Sequence, residues 1–292
     1  MNVVRTLREC PERYMTFPAW APAVHGGIKR GEVKMIIGSL QMNILKNNKD
    51  ENLLKVEDLI DNNKVDLIVL PELFSTGYFY DQSSQLWEIA EEIPNGLTTQ
   101  KLISIANKVG CHIVGTILER ENDRLYITSE IVGPSGYIGK HRKRHLTDDE
   151  VAYYSCGESS DVYEVNGCKI GIVTCFEGWF PEITRELILK GAQIICHSAL
   201  ITSETTFDIM RIRAIENKVY LIISNSISTE NFKNKSIIFR GDSRIIDYNG
   251  NILVNAGQEE KIILAEINER ETIIKNLDDC NDLIFEIKKH SY

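Results

Sequence analysis

Two hydrophobic periods alternate along this chain, and their alternation restricts its fold more than any other feature. In NLLKVEDLIDNN the apolar residues Leu53, Val56, Leu59 and Ile60 fall at helical spacing. VDLIVLPE, next along the chain, is a short continuous apolar run of the kind a strand buried on both faces requires. TTQKLISIANKVG then places Leu102, Ile105, Ala106 and Val109 on one helical stripe, with Gly110 positioned as a C-cap. CHIVGTIL and LYITSEIV read as strands, and the GPSG turn at 133–136 follows them. CKIGIVTC, QIICHSAL and VYLIISNSI are further strands, separated by the helices FPEITRELILKGA and FDIMRIRAIENK. The last third, SIIFRGDSRIIDYNGNILVNAG and EKIILAEIN, reads as antiparallel strands turning at Asn249-Gly250. Apolar strands alternating with amphipathic helices imply sheets covered by helices, hence an α/β layered fold.

With 292 residues, 43% of them hydrophobic, the chain can bury a large core in one domain. Residues 1–33 carry three of the seven prolines and read as an N-terminal extension, with a single domain at 34–292. The net charge of -9 argues against nucleic acid or an anionic membrane as partner, because polyanions are repelled. The basic cluster GKHRKRHL at 139–146 is the local exception. No run approaches the ~18 apolar residues of a membrane span, and MNVVRTLRECPERYMTF lacks an apolar signal core. Seven cysteines in no disulfide framework are most simply reduced thiols in a cytoplasmic protein.

Three polar residues stand out at the ends of apolar strands. Glu72 follows DLIVLP, Lys143 lies in YIGKHRKRHL, and Cys175 ends CKIGIVTC. Strand ends are where ligand sites collect in open α/β sheets. A thiol becomes nucleophilic as thiolate, and a carboxylate beside it can take the proton. Attack on a carbonyl-type carbon builds charge on oxygen, which a fixed lysine and backbone N–H groups can hold. A helix starting near Phe180 adds modest positive potential. Singly, these signals are weak: buried free cysteine is common in cores, Glu72 is equally a surface carboxylate or cap, and a basic run is usually a solvated face. A Cys–His hydrolase using His145 or His197 as base is the rival enzyme class. A metal site is poorly supported, since Cys111-His112 and Cys196-His197 are adjacent pairs whose members face opposite ways on a strand. No GxGxxG marks a dinucleotide site.

Taken together, VLPELFSTGY (69–78), GKHRKRHL (139–146) and IVTCFEGWFPE (172–182) resemble, in order and approximate spacing, the three motif blocks of the nitrilase superfamily of carbon–nitrogen hydrolases. RIRAIENKVYLI (211–222) and FRGDSRIIDYNGNIL (239–253) extend the likeness over roughly residues 34–270. The resemblance implies a four-layer αββα sandwich, with Glu72 as general base, Lys143 as stabiliser of the tetrahedral intermediate and Cys175 as nucleophile. Glu150 in HLTDDE matches a second glutamate that members often carry, although Asp148 and Asp149 are close enough to be confused with it. The implied reaction is hydrolysis of a small linear amide or N-carbamoyl compound through a cysteine thioester, releasing ammonia or an amine, with no metal or organic cofactor. The alternatives are a nitrilase forming an acid from a nitrile and a non-catalytic scaffold that retains the fold. Tyr78, Phe176 and Trp179 flank the motifs as pocket walls or as core aromatics. Glu182 and Arg185 read as a structural ion pair, and Arg213, Glu216 and Asn217 as anchors of a helix beneath the site. HSAL (197–200) stands where members often have a proline-containing segment, which bears on substrate identity. The family also implies a homodimer or larger even assembly, paired through helices near the nucleophile.

Overall fold

The computed structural model describes residues 34–80, 82–273, 275–278 and 281–290, so the extension read at 1–33 lies outside the described residues. The first half of the domain forms β1 (Met35–Gln41), α1 (Lys49–Asp61), β2 (Leu67–Val69), α2 (Ser83–Ile89), α3 (Leu97–Val109), β3 (His112–Glu121), β4 (Arg124–Gly133) and β5 (Gly136–Arg142). The second half forms β6 (Val162–Val165), β7 (Cys168–Thr174), α4 (Pro181–Leu189), β8 (Ile194–Ser198), α5 (Glu204–Asn217) and β9 (Tyr220–Ser224). A hairpin follows, β10 (Thr229–Phe232) with β11 (Lys235–Ile238), and then β12 (Arg244–Ile246), β13 (Ile252–Asn255) and β14 (Lys261–Ile267).

The strands build two six-stranded sheets, ordered β14-β1-β2-β3-β4-β5 and β13-β12-β9-β8-β7-β6. Each has a parallel centre, β1-β2-β3 in one and β7-β8-β9 in the other, with antiparallel strands outside. Side-chain alternation assigns the layers. Leu67, Val69 and Val114 of the first sheet meet Ile172, Cys196, Ile222 and Ile245 of the second in one buried cluster. Ile68 and Ile113 point the other way, onto Val56, Ile60, Leu102 and Ile105 of α1 and α3. Ile195, Leu221 and Ile223 likewise turn outward onto Ile183, Leu187, Phe207 and Met210 of α4 and α5. The result is the αββα sandwich, in which each central strand is buried on both faces and so reads as a continuous apolar run.

Local chemistry sets the element ends. Asn48 caps α1 by accepting the Glu51 N–H. Gly110 closes α3 in the left-handed conformation, φ 80°, as its position implies. Pro181 opens α4, where its missing N–H is not needed. The Asn249-Gly250 turn joins β12 to β13, with the Gly250 N–H donated to the Asp247 carbonyl. The helix α2 carries no hydrophobic period in the sequence reading, and only Leu86 of its seven residues is buried.

The basic cluster has a structural explanation. Lys140 and Arg142 of β5 pair with Glu119 and Glu121, and Arg144 pairs with Glu186. It is a neutralised seam between elements rather than a solvated face, and its fourth cation, Lys143, turns inward.

Candidate active site

Three strand ends converge. The first is the end of β2, after which the chain passes Pro71 to Glu72, whose N–H is donated to the Ala199 carbonyl beyond β8 (3.4 Å). At the end of β5, Lys143 is held by its own N–H on the Ile127 carbonyl (2.9 Å). Beyond β7, Cys175 opens a single 3-10 turn, Cys175–Trp179, at φ 46°. A left-handed backbone is unfavourable for a residue with a Cβ, on the order of 1–2 kcal/mol, and persists only where neighbours fix it.

These ends bring the charged groups together. Lys143 Nζ lies 2.9 Å from Glu72 Oε1 and 2.6 Å from Glu150 Oε1, with the three side chains at most 2% exposed. Glu150 also accepts the Tyr78 hydroxyl (2.6 Å) and the Thr147 N–H (2.8 Å). Asp148 and Asp149 are exposed, so the buried second carboxylate is Glu150. Cys175 sits beside this group, partly exposed, with its thiol toward the Leu200 carbonyl (3.9 Å).

Burial and the Glu72 charge hold the Cys175 thiol well above the usual range, against the pull of Lys143. Burial likewise raises Glu72, which Lys143 and the thiol draw back down. For Lys143, burial opposes the charge, but the carboxylates of Glu72 and Glu150 outweigh it and keep the ammonium protonated. Glu72 Oε2 is buried and has no partner among the described residues. The site therefore holds a fixed cation, a resting thiol and a carboxylate with one oxygen free to take a proton.

The carbon–nitrogen hydrolase family model matches residues 36–274. The chain belongs to that family, within the nitrilase superfamily. The hydrolase is 36% identical to the nitrilase of Pyrococcus abyssi over 261 residues, 88% of this chain and 98% of that protein. It is 35% identical to the 2-oxoglutaramate amidase of Bacillus subtilis over 250 residues, 82% of this chain and 93% of that one. Among solved structures it is similar to Saccharomyces cerevisiae Nit3, described as a member of branch 10 of the nitrilase superfamily. That match has a TM-score of 0.73 at 27% identity and covers 88% of this chain and 94% of that one.

Around the site, the hydrolase uses residues that the sequence reading did not single out. Glu177, two residues past Cys175, is fully buried. Its Oε2 faces His141 Nε2 (2.8 Å) and accepts the Thr174 N–H (2.8 Å), while Oε1 accepts the Arg144 N–H (2.7 Å). One carboxylate thus ties the segment carrying Lys143 to the turn carrying Cys175. Burial works against its charge, but His141 and the two N–H groups hold it below the ordinary carboxylate range. Its place inside CFEGWFPE is the one sequence signal that points to it.

Neither histidine of the Cys–His rival bonds the thiol. His145 stacks on Phe180, ring centres 3.9 Å apart, and His197 Nε2 bonds the main-chain carbonyl of Cys175 (3.0 Å). Among the described residues no cluster of His, Cys, Asp and Glu could hold a metal.

The aromatic residues divide. Tyr78 joins the charged group. Phe176 packs edge-on against Phe180 (5.2 Å), while Trp179 is 42% exposed at the end of the turn. Tyr78, Phe79, Tyr153, Tyr154 and Phe232 line a crevice reaching Glu150. Phe79 stacks on Phe232 (4.8 Å), and Glu230 of β10 accepts the Tyr78 and Phe79 N–H groups (both 3.0 Å), so the hairpin shapes this wall. Arg185 corrects the ion-pair expectation by donating to the Glu216 carbonyl (3.3 Å) rather than to Glu182. Arg213 does anchor α5, reaching Glu216 (3.0 Å) and the Trp179 carbonyl (3.3 Å), and Asn217 donates to the Arg213 carbonyl (2.9 Å).

Proposed function

We propose that this hydrolase cleaves a small linear amide or an N-carbamoyl compound by covalent catalysis at Cys175. The observation that carries the reading is the buried Lys143 ammonium, bonded to Glu72 and Glu150 beside the Cys175 thiol. Glu72 takes the Sγ proton as sulfur attacks the carbonyl carbon. The oxyanion so formed is held by the Lys143 ammonium and the Phe176 N–H. As the tetrahedral intermediate collapses, the C–N bond breaks and Glu72 protonates the leaving nitrogen, which departs as ammonia or an amine. Water then gives its proton to Glu72 and attacks the thioester. The C–S bond breaks, the acid leaves and the thiol regains the proton. Glu150, fixed by Tyr78 and Thr147, holds Lys143 in place throughout. Tyr78, Phe176 and Trp179, with the aromatic crevice, wall the remainder of the substrate.

The relative named 2-oxoglutaramate amidase supports the amide reading. The relative named nitrilase supports nitrile hydrolysis as the second reading, because a nitrile reaches the same thioester through a thioimidate. An ammonia-release screen over primary amides, N-carbamoyl compounds and nitriles decides between them. Release with amides or N-carbamoyl compounds, absent in Cys175→Ala, is the expected result. Acid formed from nitriles alone transfers the assignment to nitrilase. Equal background in wild type and Cys175→Ala, with uniform labelling of the cysteines, leaves the scaffold reading. The proposal includes cytoplasmic residence and a homodimer or larger even assembly. Apolar surface at Trp179 (42% exposed) and Ile212 of α5 (50% exposed) supports the assembly, and a monomer in sedimentation overturns it.

A further inference from the structure

Cys175 holds a left-handed backbone, and its carbonyl is bonded by a histidine that the proposed mechanism does not use. His197 of β8 is fully buried, with Nε2 3.0 Å from the Cys175 carbonyl oxygen and Nδ1 without a partner among the described residues. Burial pushes its imidazole down to about 4, so the ring is neutral and carries a single proton. A carbonyl oxygen can only accept, so that proton sits on Nε2 and the bond runs from His197 to Cys175. Gly178 permits the approach: a Cβ there would stand 2.5 Å from the Met210 sulfur and 3.3 Å from His197 Nε2.

The geometry of the peptide turns this bond toward chemistry. The Cys175–Phe176 peptide is trans, since the one cis bond among the described residues is Ile93-Pro94. In a planar trans peptide the C=O and N–H point in opposite directions. Fixing the Cys175 carbonyl on His197 therefore fixes the Phe176 N–H on the far side of the same plane. That N–H lies in the first turn of the 3-10 segment, where it has no intrahelical acceptor. Donation to the carbonyl also polarises the peptide and strengthens its N–H as a donor. We propose that His197 is a positioning residue: through the Cys175 carbonyl it aims and polarises the Phe176 N–H that receives the oxyanion. The inference rests on the amide-hydrolase reading of Cys175 and adds to it a residue that never touches substrate.

Alkylation separates this role from simple support of the fold. Iodoacetamide reacts with Cys175 by displacement of iodide at a saturated carbon, so sulfur attacks without an oxyanion forming. Hydrolysis needs the oxyanion site. His197→Phe, of similar volume with no donor, is expected to lose roughly ten- to a hundredfold in kcat, below the 10²–10³ seen when an oxyanion donor itself is removed. Its KM and its Cys175 alkylation rate are expected to stay within about twofold of wild type. His197→Gln, whose amide can still donate, is expected to keep at least about a third of wild-type kcat. Should His197→Phe fail to fold, His197→Met serves as the variant without a donor. Wild-type kcat in the donor-free variant overturns the inference. So does an alkylation rate that falls in step with kcat, or a glutamine variant as impaired as the donor-free one. These outcomes require an active wild type, so they differ from failure of the hydrolase reading, in which wild type itself releases no product.

Discussion

At the scale of single residues, the site depends on Lys143. A buried ammonium is unfavourable unless paired, and this one is paired twice. The same bonds allow Glu72 and Glu150 to sit buried a lysine's breadth apart. Lys143→Met is therefore expected to lower hydrolysis to the Cys175→Ala background and to destabilise the fold by about 3–5 kcal/mol at about pH 8. The sign with pH follows from the carboxyls. Glu72 is already raised above its ordinary value by burial, and loss of the cation raises it further. A raised carboxyl favours the fold while protonated and loses that contribution as pH rises. Denaturant unfolding of the variant is thus expected to show a smaller deficit at about pH 5 than at about pH 8. An equal deficit at both would mean that the buried charges are not its source. Glu72 and Cys175 were legible in the sequence because each closes an apolar run, and Lys143 because GKHRKRHL resembles a motif block of the family. Glu177 was not, and His197 was legible only as a rival base for the thiol, because a carboxylate or imidazole has no visible partner until the chain folds.

At the scale of elements, β4 carries a buried carboxyl outside the site. Glu130 accepts the Thr99 hydroxyl of α3 (2.7 Å) through Oε2, and Oε1 has no partner among the described residues. Burial pushes it up to about 8. Below about 4.5 it is neutral in both folded and unfolded chains. Between there and about 8 only the unfolded chain ionises, so stability falls as pH rises, by at most roughly 1.4 kcal/mol per pH unit. Glu130→Gln keeps an acceptor for Thr99 and removes the titration. Unfolding at about pH 5 and about pH 8 is expected to show a smaller difference for this variant than for wild type. Matching slopes would assign the pH dependence elsewhere. The long helices and central strands were readable from periodicity. β5 and β6 were hidden because their residues are partly exposed, and α2 because it buries one side chain.

At the scale of the molecule, the inter-sheet core holds the three strand ends in register. Ile222 of β9 is fully buried in that core with Ile172 and Ile245. Ile222→Ala is expected to cost about 2–5 kcal/mol while leaving kcat of the folded protein near wild type, because no charged group of the site moves. Thermal unfolding together with kcat checks this, and a large loss of kcat without loss of stability would contradict it. The packing also explains why Glu72 and Lys143, which follow β2 and β5 and lie 71 residues apart in sequence, can stand within hydrogen-bonding distance, with Cys175 of the turn after β7 beside them.

By itself the sequence determined the layered α/β fold, because strands buried on both faces and helices with one apolar stripe can be satisfied together in few other ways. It also determined which acid, cation and thiol stand at strand ends. Only the tertiary structure decided which carboxylate the lysine shares, since Asp148, Asp149 and Glu150 are indistinguishable until one of them is buried. It likewise decided that His197 serves the Cys175 carbonyl rather than the thiol, because the direction of a hydrogen bond is set by the packing of one strand against the turn beside it.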